Sequence, residues 1–261
     1  MGIHVVSGSA SGIGRAVAAM LIESGHTVIG IDLKNADLNV DLSSADGRAS
    51  AVAQVHERTD VVDGIVPAAG LAGLPDRSGA LVASVNFFGT VDLLSGLHPL
   101  LSKAADPAVV AIASNSATSV PIVNDDLVAA CLDGDEAAAR SIAEEAGSLV
   151  AYPSTKLAII RWVRTQATKS EWAGSGITLN AVAPGVTETA MVAESRADPV
   201  IGEHVDSYPI PLGRSAQVDE VAGVIHFLLG PQARFFCGSI VYIDGGTDAL
   251  FRPDRHTPMT M

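Results

Sequence analysis

Cysteine, aromatic residues and positive charge are all scarce in this chain. Its two cysteines, Cys131 and Cys237, stand far apart. They exclude a disulfide framework and a CxxC zinc or redox site, and read as two small buried hydrophobes. Aromatic residues make up 4% of the 261 positions, too few for stacking platforms along a single nucleic-acid strand. Sixteen basic against 29 acidic side chains give a formal charge of −13, which repels a phosphate backbone and argues against a nucleic-acid partner. The seven histidines form neither an HExxH pair nor a His/Cys cluster, so no metal site is expected. No run is apolar over the ~18 residues that cross a bilayer. The N-terminus enters a strand-like run at Ile3 without the basic-then-apolar layout of a signal peptide. A cytoplasmic protein with no membrane partner is expected.

Apolar residues are abundant, at 48% against 17% charged, enough to bury a large core. They recur in a regular order of short apolar run, turn and amphipathic helix. Strands are predicted at 3–7, 27–31, 61–68, 109–114, 178–183 and 241–244. Helices are predicted from Ile13 to the stop at Gly25, from Ser43 or Ser44 to about Arg58, and from about Leu81 to Leu101. Strands alternating with helices imply right-handed crossovers, and hence an α/β fold with a doubly wound parallel sheet of the Rossmann type. No linker or repeat divides the chain, so one domain covering 1–261 is expected. The order breaks between Ser114 and Tyr152, where residues 121–147 read as an inserted helical hairpin. Asn124 would cap its first helix, Asp133-Gly134 would turn it, and Gly147 would end it. The acidic pairs Asp125-Asp126 and Glu144-Glu145 read as solvated faces.

The first strand and helix are joined by Ser7-Gly8-Ser9-Ala10-Ser11-Gly12-Ile13-Gly14. Glycines at a first βα junction allow a tight turn and close approach of backbone to ligand, and the following helix N-terminus suits a pyrophosphate. Gly8, Ser11, Gly12, Ile13 and Gly14 are therefore candidate cofactor contacts. Asp32 ends the second strand eighteen residues after Gly14, where a carboxylate can accept from both ribose hydroxyls of an adenosine. A 2′-phosphate about 4 Å from it would be repelled by up to ~4 kcal/mol per unit charge, so NAD is expected and NADP disfavoured. Lys34 and Arg15 read as surface charges. Asp41 is placed either to meet the adenine amino group or simply to cap the turn before Leu42 and Ser43.

Tyr152-Pro153-Ser154-Thr155-Lys156 puts Tyr152 and Lys156 four apart, on one helix face. A phenol with an ordinary pKa near 10 is a poor base at neutral pH; two nearby cations, Lys156 and an oxidised nicotinamide, could supply the ~3–4 kcal/mol that lowers it by ~2–3 units.

Taken together, these motifs resemble the short-chain dehydrogenase/reductase family over essentially the whole chain. The glycine turn (Gly8, Gly12, Gly14), Asn86 in Asn86-Phe87-Phe88-Gly89, Ser114, and Tyr152 with Lys156 fall in the family's order. Asn180-Ala181-Val182-Ala183-Pro184-Gly185, the following Val186-Thr187-Glu188-Thr189, and Asp244-Gly245-Gly246 match as well. The resemblance implies that Tyr152 exchanges the hydroxyl proton, while Lys156 lowers its pKa and holds the nicotinamide ribose. It further implies that Ser114 binds the substrate oxygen and Asn86 anchors a water linking Lys156 to solvent. Gly70 and Pro184 would contact the cofactor, and Thr187 and Thr189 would grip the carboxamide. Ser116 competes with Ser114, which is preferred because it directly follows a strand. Ser7 replaces the family's Thr, and Pro67-Ala68-Ala69-Gly70 lacks its usual Asn, which puts that loop's hydrogen bonding in doubt.

Within the family the chain resembles the bacterial 3α-hydroxysteroid dehydrogenase/carbonyl reductase group, with coniferyl-alcohol-type dehydrogenases as the alternative. Residues 188–213 would form a lid carrying Met191, Val192, Ile201, Val205, Tyr208, Ile210 and Leu212, with Leu71 and Leu74 on the opposite wall. An apolar cleft of this kind suits a small lipophilic alcohol or ketone. The resemblance also implies a homodimer or homotetramer, with the 121–147 hairpin facing either a partner subunit or the substrate. An NAD(H)-binding sensor or scaffold without turnover is the reading from another class, weakened by retention of all four catalytic positions.

Overall fold

A computed structural model describes residues 1–255; the last six residues of the expected domain lie outside the described residues. Seven parallel strands form one sheet in the order β3-β2-β1-β4-β5-β6-β7. They are β1 (Ile3–Ser7), β2 (Thr27–Asp32), β3 (Leu38–Asn39), β4 (Gly64–Pro67), β5 (Ala108–Ile112), β6 (Thr178–Pro184) and β7 (Ile240–Ile243). The chain adds strands outward to one side from β1 to β3 and to the other side from β4 to β7, so the order reverses between β1 and β4, and the crevice beyond their C-terminal ends is where such sheets bind ligands.

Successive strand residues point to opposite faces, so a sheet covered on both sides needs continuous apolar strands. Val5, Ile65, Val109 and Ala181 pack into one core cluster, and their neighbours Val6, Val66, Val110 and Val182 into the other. Helices α1 (Gly12–Glu23) and α10 (Val218–Leu229) cover the second face through Val17, Leu21, Val221 and Ile225. The first face is covered by α2 (Ala45–Arg58), α4 (Gly89–Leu101) and α8 (Ser148–Gln166), through residues such as Val55, Leu97 and Ile159.

Helix α4 is the last part of a longer helical run. It continues from α3 (Gly79–Ala83) through one π-helical turn, Ser84–Phe88. This run, Gly79–Leu101, contains an 18-residue window of mean hydropathy 1.5 and is long and apolar enough to cross a membrane by length and composition. That corrects the expectation that no such stretch exists. Ser84, Asn86 and Asp92 obscure it in the sequence, and 61% of the window is buried inside the protein, as in a core helix.

Between β5 and α8 lie a short turn of helix, α5 (Ser116–Ser119), and the two helices α6 (Asp125–Asp133) and α7 (Glu136–Ala146). Asn124 Oδ1 accepts from the Leu127 N–H at 2.9 Å, Gly134 takes the left-handed conformation at φ 74°, and Asp135 Oδ1 caps α7 at Ala138 N. The pair packs on α3 and α8 of its own chain, adding Leu127, Val128, Cys131, Ala139 and Ala143 to the core. Glu144 is not merely solvated. Its carboxylate accepts from Ser78 Oγ at 2.6 Å and Ala80 N at 3.0 Å, closing the N-terminus of α3, and the Ser78 contact holds its pKa below the usual range.

Candidate active site

A cleft of about 440 Å³ opens at the C-terminal ends of β1, β4 and β5. It gathers residues distant in sequence: Gly8, Ser11, Gly12, Ile13, Gly14, Asp32, Asp41, Gly70, Ser114, Tyr152, Lys156, Pro184, Thr187 and Thr189 all line it. Asn86 stands just behind the wall.

The glycine turn is shaped so that side chains cannot enter it. Gly8 has φ +68°, and a Cβ there would stand 2.7 Å from Ala69 N; one on Gly14 would collide with the Gly8 carbonyl. The first turn of α1 carries no side-chain cap from Ser11, so its N–H groups are left for a ligand in the cleft. These features fit a dinucleotide pyrophosphate. Asp32 Oδ2 accepts from Ala10 N at 3.0 Å and Oδ1 from Leu33 N at 2.7 Å, which fixes the carboxylate while leaving lone pairs on both oxygens. Asp41 behaves as a turn cap, with Oδ1 accepting from Ser43 N at 2.8 Å, and still lines the cleft. Arg15 and Lys34 are exposed.

The loop that lacks the expected Asn is tied down from β1. Ser7 accepts at its carbonyl from Ala68 N (3.1 Å) and at its hydroxyl from Ala69 N (3.2 Å). Leu71, two residues further on, is held by Asn86, which is fully buried in the π turn. Its Oδ1 accepts from Leu71 N at 2.8 Å and its Nδ2 donates to Leu71 O at 3.0 Å. The Asn86 side chain is therefore a clamp on the loop, bonding both main-chain groups of Leu71. A π turn, which displaces the helical hydrogen-bond ladder, is the local irregularity that brings it there.

Tyr152 and Lys156 project from the same face of α8, with Lys156 Nζ 5.9 Å from the Tyr152 ring centroid. Lys156 is 6% exposed and donates to the Ile112 carbonyl at 2.8 Å; burial pulls its pKa down to about 8. Burial pushes the Tyr152 phenol above its ordinary value, and a hydrogen bond with Ser114 acts the other way. The lowering expected from Lys156 is thus not reached by the protein groups alone, because desolvation dominates. The two competing serines turn out to be partners. Ser116 donates to Ser114 Oγ from its hydroxyl at 2.9 Å and from its backbone N–H at 3.2 Å.

The lid is narrower than expected. Met191 and Val192, at the start of α9 (Ala190–Ala197), line the cleft, and Thr189 Oγ1 caps that helix at Val192 N. Ile201, Val205, Tyr208, Ile210 and Leu212 do not line it. The Tyr208 hydroxyl bonds Ser119, and Ile210 and Leu212 pack over Gly245, because the chain after α9 folds back onto the segment following β7. Leu71 lines the cleft, whereas Leu74 is buried behind it with its carbonyl bonded by Ser148. None of residues 121–147 reaches the cleft wall. Sequence reasoning missed Ile112, whose contribution is a main-chain carbonyl, and Leu42 with the arginine behind it, for which no local pattern gives a signal. Among the described residues no cluster of three or more His, Cys, Asp or Glu side chains could hold a metal ion.

A parallel, doubly wound sheet with a glycine turn at its first crossover defines a Rossmann-type fold. A short chain dehydrogenase family model matches residues 3–125, and a model described as enoyl-(acyl carrier protein) reductase matches 147–248. The 3-alpha-hydroxysteroid dehydrogenase/carbonyl reductase of Comamonas testosteroni is 39% identical over 259 residues, 98% of this chain and 100% of that protein. A coniferyl-alcohol dehydrogenase from a Pseudomonas species is 30% identical, over 95% of this chain and 96% of its own. The crystal structure of the 3-alpha-hydroxysteroid dehydrogenase from Pseudomonas sp. B-0831 complexed with NADH superposes with a TM-score of 0.92 at 44% identity, covering 97% of this chain and 99% of that one. The chain belongs to the short-chain dehydrogenase/reductase family.

Proposed function

We propose that this protein is an NAD-dependent oxidoreductase that interconverts a secondary alcohol and a ketone on a small lipophilic substrate, with 3α-hydroxysteroids and related carbonyl compounds as the class. The observation that carries this reading is the meeting of Tyr152, Ser114 and Lys156 in the same cleft as the uncapped N-terminus of α1. Similarity to the hydroxysteroid dehydrogenases supports the substrate class, as do the apolar wall residues Leu71, Val85, Met191 and Val192.

A nicotinamide dinucleotide, when bound, supplies the hydride acceptor or donor. The glycine turn and α1 would hold its pyrophosphate, Asp32 its adenosine ribose, and Thr187 and Thr189 its carboxamide. Ser114 would donate its hydroxyl hydrogen to the substrate oxygen, where negative charge develops. Tyr152 would take the alcohol proton during oxidation and return it during reduction. Lys156 would hold positive charge beside the phenol, favouring phenolate, while Asn86 would keep Gly70 and Leu71 against the cleft. The family resemblance supports a homodimer or homotetramer, which light scattering would test.

The deciding experiment follows NADH formation across 3α-hydroxysteroids, aryl alcohols and short aliphatic alcohols. Oxidation of 3α-hydroxysteroids ahead of the other two supports the proposal. Preference for aryl alcohols overturns the substrate class, and absence of turnover on all three overturns the activity.

A further inference from the structure

Arg48 is the largest of the fully buried side chains among the described residues, at 2% exposure, and nothing in the catalytic proposal uses it. A buried guanidinium is costly unless each edge finds an acceptor. Here its donors reach three separate parts of the fold. Nε donates to Asp92 Oδ2, in the first turn of α4, at 2.6 Å. Nη2 donates to Glu136 Oε2, at the start of α7. Nη1 donates to the Leu42 carbonyl at 3.3 Å.

Two of these contacts lead to walls of the dinucleotide cleft. Leu42 lines it together with Val40, Asp41 and Ser43. The other oxygen of Glu136 accepts from Ser84 Oγ at 3.0 Å, and Ser84 opens the π turn that carries Asn86 and the cleft residue Val85. Arg140, from the same helix as Glu136, also bonds Ser84. One buried cation and one carboxylate therefore join the Val40–Ser43 wall to the π-turn wall, through a helix that itself lies outside the cleft.

We infer that Arg48 is a positioning residue for the cofactor, fixing the wall at Leu42 against α7 so that affinity for the adenosine half of the dinucleotide depends on the Arg48–Glu136 contact. This rests on the reading that the cleft binds NAD(H). A lysine keeps the charge but has no planar fork to reach three acceptors at once. Glu136→Gln keeps an acceptor while removing the charge that makes the contact strong.

The test is fluorescence titration of the parent, Arg48→Lys and Glu136→Gln with NADH and, by displacement, with AMP, alongside kcat at saturating NAD. For Arg48→Lys the Kd values for NADH and AMP should both rise about tenfold, with kcat held within about twofold. Glu136→Gln should show the same split at about two- to fourfold. It stands a quarter exposed and carries the test should Arg48→Lys fail to fold. A merely structural role would lower Tm while leaving both Kd values in place. Kd values within a factor of about 1.5 of the parent in the folded variants, or a loss confined to kcat, overturn the inference alone. A parent that binds neither NADH nor AMP overturns the functional reading and this inference together.

Discussion

Ser116 gives its hydroxyl hydrogen to Ser114 Oγ at 2.9 Å, and its backbone N–H points at the same atom from 3.2 Å. Ser114 is thus an acceptor twice over, which leaves its own O–H to act as the donor, turned here towards Tyr152. Two serines that look interchangeable in the sequence are ranked by this geometry. Ser114→Ala should lower kcat by about 10²–10³, as loss of a donor to a developing oxyanion does. Ser116→Ala, which removes only a supporting bond, should lower it by less than about tenfold. Equal losses in the two variants, measured at saturating alcohol and NAD, would contradict the ranking.

Tyr152→Phe should abolish measurable turnover and leave the Kd for NADH within about twofold, because the phenol handles the proton and contributes little to binding. Retained turnover would place the proton transfer on another group.

Lys156→Met should be inactive yet more stable at neutral pH. Burial holds the folded pKa at about 8 against 10.5 for the ordinary side chain. The folded state therefore carries a penalty at pH below 8 that fades as pH rises from 8 towards 10.5. The shift corresponds to roughly 3 kcal/mol, offset by about 1 kcal/mol for the lost bond to Ile112. Urea unfolding should show Lys156→Met ahead of the parent by about 1–2 kcal/mol at pH 7, with the gap closing at pH 10. A variant less stable than the parent at pH 7 would show that burial of this amine is fully compensated.

Asp32→Ala should raise the ratio of kcat/KM for NADP to that for NAD by about 10- to 100-fold, by removing a charge that faces the 2′ position. Because Asp32 also accepts from Ala10 N and Leu33 N, the same change should weaken NAD binding. An unchanged cofactor ratio would locate the discrimination elsewhere.

A fifth effect lies at the opposite end of the sheet from the cleft. His4 in β1 is 4% exposed, its Nε2 lies 3.1 Å from His26 Nδ1, and its Nδ1 has no partner. Burial first and the neighbouring His26 second pull its pKa down to about 4; His226 and the N-terminal amine add to this, and Asp63 opposes it. The folded state keeps His4 neutral, whereas the unfolded chain protonates it near pH 6.5. Stability from this group is full above pH 6.5 and is lost as pH falls through 4, by roughly 3 kcal/mol in all. Urea midpoints at pH 7 and pH 4.5 should separate further for the parent than for His4→Leu. Equal separations would assign the acid sensitivity to other groups.

Much of this molecule is legible along the chain because its signals are local. Apolar runs and helical spacing place six of the seven strands and the principal helices to within a few residues; β3, two residues long, is too short to stand out among them. Asn124, Gly134 and Gly147 mark the ends of the two inserted helices, since caps act on the adjacent turn. The glycine turn, Asp32 and the Tyr152–Lys156 spacing are likewise short-range features, and each lines the same cleft in the fold.

The amino-acid order by itself determined the parallel α/β architecture, the family and the motif residues that meet at the cleft, because each depends on neighbours within a few positions or on motifs in fixed succession. Only the tertiary structure decided that Ser116 serves Ser114, that Asn86 clamps Leu71, that the chain after Val192 leaves the cleft, and that Arg48 ties Leu42 to Glu136. These contacts join residues from separate elements through main-chain carbonyls and buried charges. Their partners are set by which helices pack together, and no local pattern in a sequence records that.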